Sequence, residues 1–313
     1  MLTYILRRVL MIVPISLAAF TVIFVVMRTM SGDPAVAILG DAATKEAVEE
    51  LREELGLDKP LWNQYLSYLG KIAHGDLGRS IRSNTPIAPY VGKVIPHTLA
   101  LALGGIIVGS LFGIPLGVFT ALKRNTFADY TGRVLSLVAA SIPAFYLGVL
   151  LLIVFSIELR LFPVVGAGDA SNLLDSLSHL ALPTLTLGLI MTGYVARVAR
   201  SAMLGVLNED YMQAARAKGL REIAVVGKHA LRNALIPIVA FLGVYAIVLL
   251  GNAVTVEIVF SRPGLGRLLV DAAKDRDIVV LQSVMLIFAA LVILCNLLTD
   301  LIYGLIDPRI QYR

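Results

Sequence analysis

Charged residues and cysteine are both scarce in this sequence. Among its 313 residues, Asp, Glu, Lys and Arg make up 16%, hydrophobic residues make up 58%, and the mean hydropathy is +0.82. A single cysteine, Cys295, excludes an intrachain disulfide. The sequence has no phosphate-binding GxxxxGK[ST] loop and no HExxH, CxxC or GxSxG motif. These absences predict a chain that does not bind ATP by itself and lacks common hydrolytic chemistry.

Formal charge is missing altogether from six long apolar runs. A helix needs about 20 such residues to cross the hydrocarbon core of a bilayer. A charge at the centre of such a helix costs about 2.5–3.5 kcal/mol, so six uncharged runs are not expected by chance. The sequence therefore predicts an all-α membrane protein with six transmembrane helices. The runs are Val9–Met27, Val94–Leu122, Val134–Ile157, Ser176–Ala196, Asn233–Val256 and Ile278–Thr299.

The distribution of Lys and Arg predicts the orientation. Six spans place both termini on one side, and the cytoplasmic side is the one richer in short basic segments. Arg160 would then be the only Lys or Arg in the external loop from Glu158 to Asp175. An N-in, C-in arrangement is predicted. It places these residues in the cytoplasm: Arg7, Arg8, Lys123, Arg124, Arg133, Arg197, Arg200, Arg216, Lys218, Arg221, Lys228, Arg232, Arg309 and Arg313.

Ionisable groups are also lacking in the interiors of the runs. Ion-coupled secondary transporters usually carry Asp, Glu or His there, but here Glu257 and Asp300 fall at run edges. An ion-coupled transporter is thus a disfavoured alternative. An intramembrane enzyme, which would need a Ser/His pair or two aspartates within the spans, is disfavoured further. No catalytic residue is predicted, and no metal site, because the histidines (His74, His97, His179, His229) are scattered.

What the second run does have is a glycine at every fourth position. Gly105, Gly109, Gly113 and Gly117 form a small-xxx-small ladder on one helix face. Such a ladder lets a neighbouring membrane helix approach closely. Helix packing is therefore the predicted role of these four glycines.

The segment between the first two runs is predicted to be the only sizeable soluble part of the chain. Thr44 is predicted to cap a helix that ends at Leu55 before Gly56, and Pro60 to begin a second helix. The chain is predicted to divide into residues 1–93, which hold the first span and this external segment, a five-helix module at 94–306, and a cytoplasmic tail at 307–313.

A polar, basic stretch from Asn208 to Pro237 separates the fourth and fifth runs. Asn208 is a suitable N-cap for a short helix over Tyr211–Lys218, and Gly219 is placed to end it. A second helix is predicted from Glu222 to about Asn233. The small side chains of the first helix would let the surface of another protein approach closely. They belong to Ala214, Ala215 and Ala217.

This stretch resembles the cytoplasmic EAA loop of ABC-importer permeases, which docks into an ATPase subunit. Ala214, Ala215 and Gly219 match the motif, whereas Gln213 stands where the general motif has Glu, and Pro237 lies further from Gly219 than usual. The whole chain is similar to the dipeptide/oligopeptide (peptide/nickel) permease subfamily. Supporting segments are Gly32-Asp33-Pro34, Leu55-Gly56-Leu57-Asp58, Gly75-Asp76-Leu77-Gly78, Arg262-Pro263-Gly264-Leu265-Gly266 and Asp307-Pro308-Arg309.

The resemblance implies a non-enzymatic permease with a type I ABC-importer bundle in the plasma (inner) membrane of a prokaryote. The implied partners are a homologous second permease, two cytoplasmic ATPase subunits that hold ATP and Mg, and an external substrate-binding protein. Short peptides are the implied cargo, with nickel chelates, glutathione or some sugars as alternatives, and the substrate-binding residues are unknown. The implied ATPase-coupling residues are Asp210, Tyr211, Gln213, Ala214, Ala215, Arg216, Ala217 and Gly219.

Overall fold

The computed structural model describes residues 2–30, 34–39 and 44–306. Apart from an isolated bridge between Arg79 and Pro86, these residues form helices, turns and loops, which confirms the all-α prediction. The helices are α1 (Leu2–Met30), α2 (Pro34–Leu39), α3 (Lys45–Leu55), α4 (Leu61–Ala73), α5 (Ile87–Leu122), α6 (Phe127–Ser141), α7 (Ala144–Leu151), α8 (Leu173–Leu207), α9 (Asp210–Ala217), α10 (Glu222–Ala224), α11 (Leu231–Val259), α12 (Leu265–Lys274) and α13 (Ile278–Ile306). Two π-helical segments, Leu152–Glu158 and Val225–Ala230, continue α7 and α10.

Five of the six predicted spans are single long apolar helices in the described part of the chain. They are Leu6–Thr29, Ile87–Leu122, Leu173–Leu207, Glu222–Val259 and Ile278–Ile302.

The third predicted span is not one helix. The chain bends by 100° between α6 and the helical stretch Ala144–Glu158. Proline disfavours the α conformation of the residue before it, and Ile142, which precedes Pro143, is extended with φ −76° and ψ 127°. The absence of charge therefore predicted the apolar character of Val134–Ile157 correctly. The prediction that this run is one continuous helix is wrong.

The contacts divide the chain into two compact units. The first is built around His97–Arg262, and the second around Leu6–Pro96 and Pro263–Leu294. The predicted division at residues 93 and 306 stays a prediction, and its tail at 307–313 lies outside the described residues, as do Gly32, Asp33 and Asp307-Pro308-Arg309.

In the first unit, the glycine ladder of α5 faces α8. A Cβ atom added to any of the four glycines would lie 3.0 Å or less from an atom of α8. The missing side chains are what permits this contact. The nearest atoms are the Leu187 Cβ at 3.0 Å from Gly105, the Met191 Cγ at 2.6 Å from Gly109, the Val195 Cβ at 2.7 Å from Gly113 and the Ala196 carbonyl oxygen at 2.5 Å from Gly117.

Substituting Gly117 by leucine is therefore expected to destabilise the bundle. The obstructing atom is backbone, which cannot rotate away, and overpacking a tight contact typically costs about 1–3 kcal/mol. A lower midpoint of thermal unfolding in detergent would register this cost. Gly92→Leu is the matched control, because Gly92 lies on the same helix with no other atom within 4 Å of an added Cβ. Equal midpoints for the two variants would contradict the packing role.

The second unit includes the short helices that precede α5. The Thr44 hydroxyl oxygen accepts a hydrogen bond from the Ala47 amide at 3.3 Å, α3 ends at Gly56 with φ +65°, and α4 begins after Pro60. These observations confirm the predicted limits of the first helix and the predicted start of the second. α4 packs on α1, where the Phe24 ring lies 5.3 Å from the Tyr65 ring.

Candidate functional site

The loop between the fourth and fifth spans is shorter than the sequence indicated. α8 continues to Leu207, so Arg197 and Arg200 lie on that helix. The predicted helix from Glu222 is confirmed at its start, but its predicted end near Asn233 is wrong. α10, the π segment Val225–Ala230 and α11 run on as one 38-residue helical stretch, Glu222–Val259. No proline interrupts this stretch before Pro237, and Gly227 is accommodated in the π segment. The loop proper is reduced to residues 208–221.

The short helix α9 forms in the middle of this loop. Its N-cap is Glu209, not Asn208 as predicted, and no side chain caps it. Asn208 instead donates its side-chain amide to the Leu204 carbonyl at 2.9 Å, so it satisfies the end of α8. Gly219 has φ +76°, which confirms that it ends the helix in the left-handed conformation.

One face of α9 packs against α8 and α11. Met212 is 0% exposed and Ala215 is 8% exposed, and both pack in a core cluster with Met203 and Ala234. The expectation that Ala215 is open to a partner is therefore wrong, because its small side chain instead lets α9 lie close to its own bundle. On the same helix, the Tyr211 hydroxyl accepts a hydrogen bond from the Asn233 side-chain amide at 2.7 Å. This hydrogen bond connects α9 directly to the first turn of α11.

An ion pair closes the turn after α9. Arg216 donates to both oxygens of the Glu222 carboxylate, from Nη2 at 3.0 Å and from Nε at 3.3 Å. The hydrogen bonds to Glu222 raise the pKa of the Arg216 guanidinium, so the charged form is favoured. Because both side chains are exposed, the pair defines the turn geometry more than it adds to stability.

The opposite side of the loop is open to solvent and partly apolar. Gln213, Ala214 and Ala217 are exposed on α9, and Leu220 and Ile223 follow with exposed fractions of 43% and 89%. We call these five residues the docking face. An isoleucine this exposed beside a short helix marks an interaction surface when it lies within an apolar patch. Ile223 was not singled out in the sequence because it falls at the start of an apolar helical stretch.

A buried ion pair lies at the base of α8 and was not predicted. Asp129 is 0% exposed, and Arg200 donates to its two oxygens from Nε and Nη2, each at 2.8 Å. The Asn125 amide donates to the same carboxylate at 3.0 Å, and Arg133 lies 3.4 Å away. The pair joins the start of α6 to α8, seven residues before α8 ends at Leu207.

A second buried carboxylate also escaped sequence reasoning. Glu257, which the sequence places at the edge of an uncharged run, is 0% exposed in the last turn of α11. The Thr98 hydroxyl of α5 donates to its Oε1 at 2.6 Å. Glu257 is therefore buried even though it lies at the edge of an uncharged run in the sequence.

Comparison with known proteins decides the family. Residues 113–312 match the family described as binding-protein-dependent transport system inner membrane component, and residues 1–102 match its N-terminal membrane component. The chain belongs to this family. The glutathione transport system permease protein GsiC of Escherichia coli O6:H1 is 41% identical over 313 residues, all of both chains, and GsiC of Escherichia coli strain K12 is 40% identical over the same length.

Solved structures support the fold of this permease. It aligns with a chain of the inward-facing MetNI methionine ABC transporter at a TM-score of 0.59 and 20% identity, covering 70% of this chain and 96% of that one. The type I ABC-importer permease bundle predicted from the sequence is confirmed. The protein is thus a multi-pass permease component of an ABC importer in the inner membrane of a bacterium.

Proposed function

We propose that this permease forms half of a translocation path for short peptides and peptide-like solutes. The identity of 41% over the whole chain with glutathione permeases carries this proposal, because glutathione is itself a tripeptide. A solute with a free amine, carboxylates and amide groups fits both the peptide and the glutathione alternatives. Nickel chelates and sugars are the alternatives to be tested against it.

We propose further that α9 and the docking face transmit movement from a cytoplasmic ATPase. The coupling residues would be Asp210, Tyr211, Gln213, Ala214, Ala215, Arg216, Ala217 and Gly219. The support is geometric: Met212 and Ala215 fix one face of α9 in the core, while the docking face is left for a partner. A force applied to the docking face would reach α11 through the Tyr211–Asn233 hydrogen bond.

In this proposal the chain itself performs no chemistry. ATP and Mg would be held by two ATPase subunits, and the energy of hydrolysis would reach this chain only as movement of α9. A homologous second permease would supply the other half of the path, and an external substrate-binding protein would deliver the solute.

Uptake by a strain lacking this gene, with and without the wild-type chain, tests the cargo. We expect the chain to restore energy-dependent accumulation of radiolabelled glutathione or of a labelled tripeptide. Excess unlabelled di- and tripeptides should compete, whereas nickel–histidine chelate and monosaccharides should not. Competition by the chelate or the sugars alone would replace the peptide assignment. A strain that lacks only the ATPase genes is the control, and it should accumulate neither compound.

A further inference from the structure

A cavity of about 660 Å³ lies in the second unit and has no role in the coupling described above. The end of α1, the start of α13 and α4 with the segments on either side of it line this cavity. Its wall is mixed in character. Polar and charged side chains line part of it, and the apolar residues that line the rest are Met27, Leu57, Ile72, Leu77, Ile81, Ile278, Val279 and Leu286. Because Met27 ends one predicted span and Ile278 begins another, the cavity lies where the bilayer meets water.

Two residues of this wall each have a buried polar atom without a hydrogen-bond partner in good geometry within the described residues. Gln64 uses its amide nitrogen to donate to the Leu57 and Lys59 carbonyls, at 3.1 and 2.7 Å, which leaves Oε1 without a donor. The Tyr68 hydroxyl is also buried without such a partner, although Gln282 lies beside it. Burial raises the pKa of Tyr68 to about 12 against the opposing effect of the Gln282 side chain, so the hydroxyl is protonated at neutral pH. Buried polar groups are normally satisfied, so these two atoms indicate a bound group.

A cation lies beside them. Arg28 is half-buried, its guanidinium lies 5.6 Å from the centre of the Phe24 ring, and no carboxylate pairs with it in the part of the chain that the structure describes. Lys59 and Lys71 also line the cavity, and Glu53 and Asp76 are the acidic residues there. The wall therefore carries three cationic and two acidic side chains. Within it, an arginine without an ion-pair partner and a hydroxyl donor are suited to a phosphate, and the free acceptor is suited to a hydroxyl or ammonium group.

The surroundings match a lipid more closely than a soluble ligand. α4 exposes Leu61, Trp62 and Leu66, with exposed fractions of 64%, 66% and 48%, as helices that lie in the membrane interface do. Val22 and Val25 of α1 are exposed on the span that leads to the cavity. An acyl chain can follow this apolar face while the headgroup remains at the level of Arg28.

We propose that this cavity binds the headgroup of a glycerophospholipid whose head carries hydrogen-bond donors. Arg28 and the Tyr68 hydroxyl hold the phosphate, and Gln64 Oε1 accepts a hydrogen bond from the ammonium or hydroxyl group beyond it. The acyl chains lie against Val22 and Val25. The bound lipid fixes α4 to the ends of α1 and α13. This proposal is independent of the cargo and of the coupling loop.

Native mass spectrometry of the full chain, released from lipid nanodiscs, tests the site. The nanodiscs contain phosphatidylcholine with an equal amount of phosphatidylethanolamine or phosphatidylglycerol. We expect the wild type to retain a lipid with a donor-bearing head in preference to phosphatidylcholine, whose head has no donor. Arg28→Gln and Tyr68→Phe should lose this retention, and Arg28→Lys should keep most of it. Arg7→Gln, at the other end of α1, is the matched control and should behave as wild type.

Three results would overturn the proposal. One is equal retention by the wild type and by Arg28→Gln, and another is equal retention of phosphatidylcholine. The third is displacement of the lipid by a competitor. Displacement by glycerol 3-phosphate that saturates the detergent-purified chain would assign the cavity to a soluble phosphate ester, and displacement by the external binding protein would assign it to a protein partner.

Discussion

Replacing Ala214 or Ala217 by tryptophan will separate the permease from its ATPase and abolish ATP-driven uptake. Both alanines are exposed on the docking face, and nothing in the packing of α9 depends on their side chains. An indole at either position would clash with the partner at the centre of the contact and prevent its close approach to α9. A loss of about 2 kcal/mol, or about 30-fold in affinity, is typical of a disrupted central contact. Co-purification of the ATPase with the tagged permease measures the effect.

Two other alanines make this test specific. Ala273 is exposed on α12, on the side predicted to be external, so Ala273→Trp should leave ATPase co-purification unchanged. Ala215 is buried, so Ala215→Trp should lower thermal stability as well as association. Ile223→Asp removes the most exposed apolar side chain of the docking face and should weaken association without affecting insertion. Normal uptake by both the Ala214→Trp and the Ala217→Trp variants would refute the docking assignment.

Asp129→Ala should destabilise the permease more than Gly117→Leu does. It removes the carboxylate that receives both hydrogen bonds from Arg200 and leaves that guanidinium, whose side chain is 19% exposed, without its partner. Breaking a fully buried pair in this way costs about 3–5 kcal/mol, and we expect the lower end of that range because the Arg200 side chain keeps part of its hydration. Because the pair joins α6 to α8, we expect a lower unfolding midpoint together with reduced uptake. Thermal unfolding in detergent and uptake per inserted molecule measure the two effects.

The neighbouring charges supply the controls. Arg133 lies 3.4 Å from the same carboxylate with its side chain 42% exposed, so Arg133→Gln should cost only about 0–1 kcal/mol. The double variant Asp129→Leu with Arg200→Met replaces both charges by apolar groups and should recover most of the lost stability. An Asp129→Ala variant as stable as Arg133→Gln would mean that the ion pair contributes nothing.

Sequence alone located the spans because the energetic cost of a charge in hydrocarbon is large and independent of tertiary structure. The same reasoning missed the bend at Ile142 and Pro143, since hydropathy carries no information about backbone direction. Sequence indicated the short helix α9 and its terminal glycine through local chemistry. It placed the cap one residue too early, because Asn208 has a competing acceptor, the Leu204 carbonyl, in the preceding helix.

The contacts that sequence could not supply are those between distant residues. Asp129 and Arg200 are 71 positions apart, and Thr98 and Glu257 are 159 apart. No local periodicity connects such residues. The burial of Ala215 was missed for a related reason: in a helix of eight residues, composition does not decide which side faces the bundle.

The glycine ladder limits how the permease can move. Each rung places a bare stretch of α5 against α8, at Leu187, Met191, Val195 and Ala196. A slide along the helix axis would drive these groups into the side chains between the glycines, and the surfaces would match again only after four residues, about 6 Å. So long a step is not a small shear adjustment between packed helices. We therefore expect α5 and α8 to move together as one rigid body. The relative motion that opens and closes the translocation path is then expected at contacts between other helices.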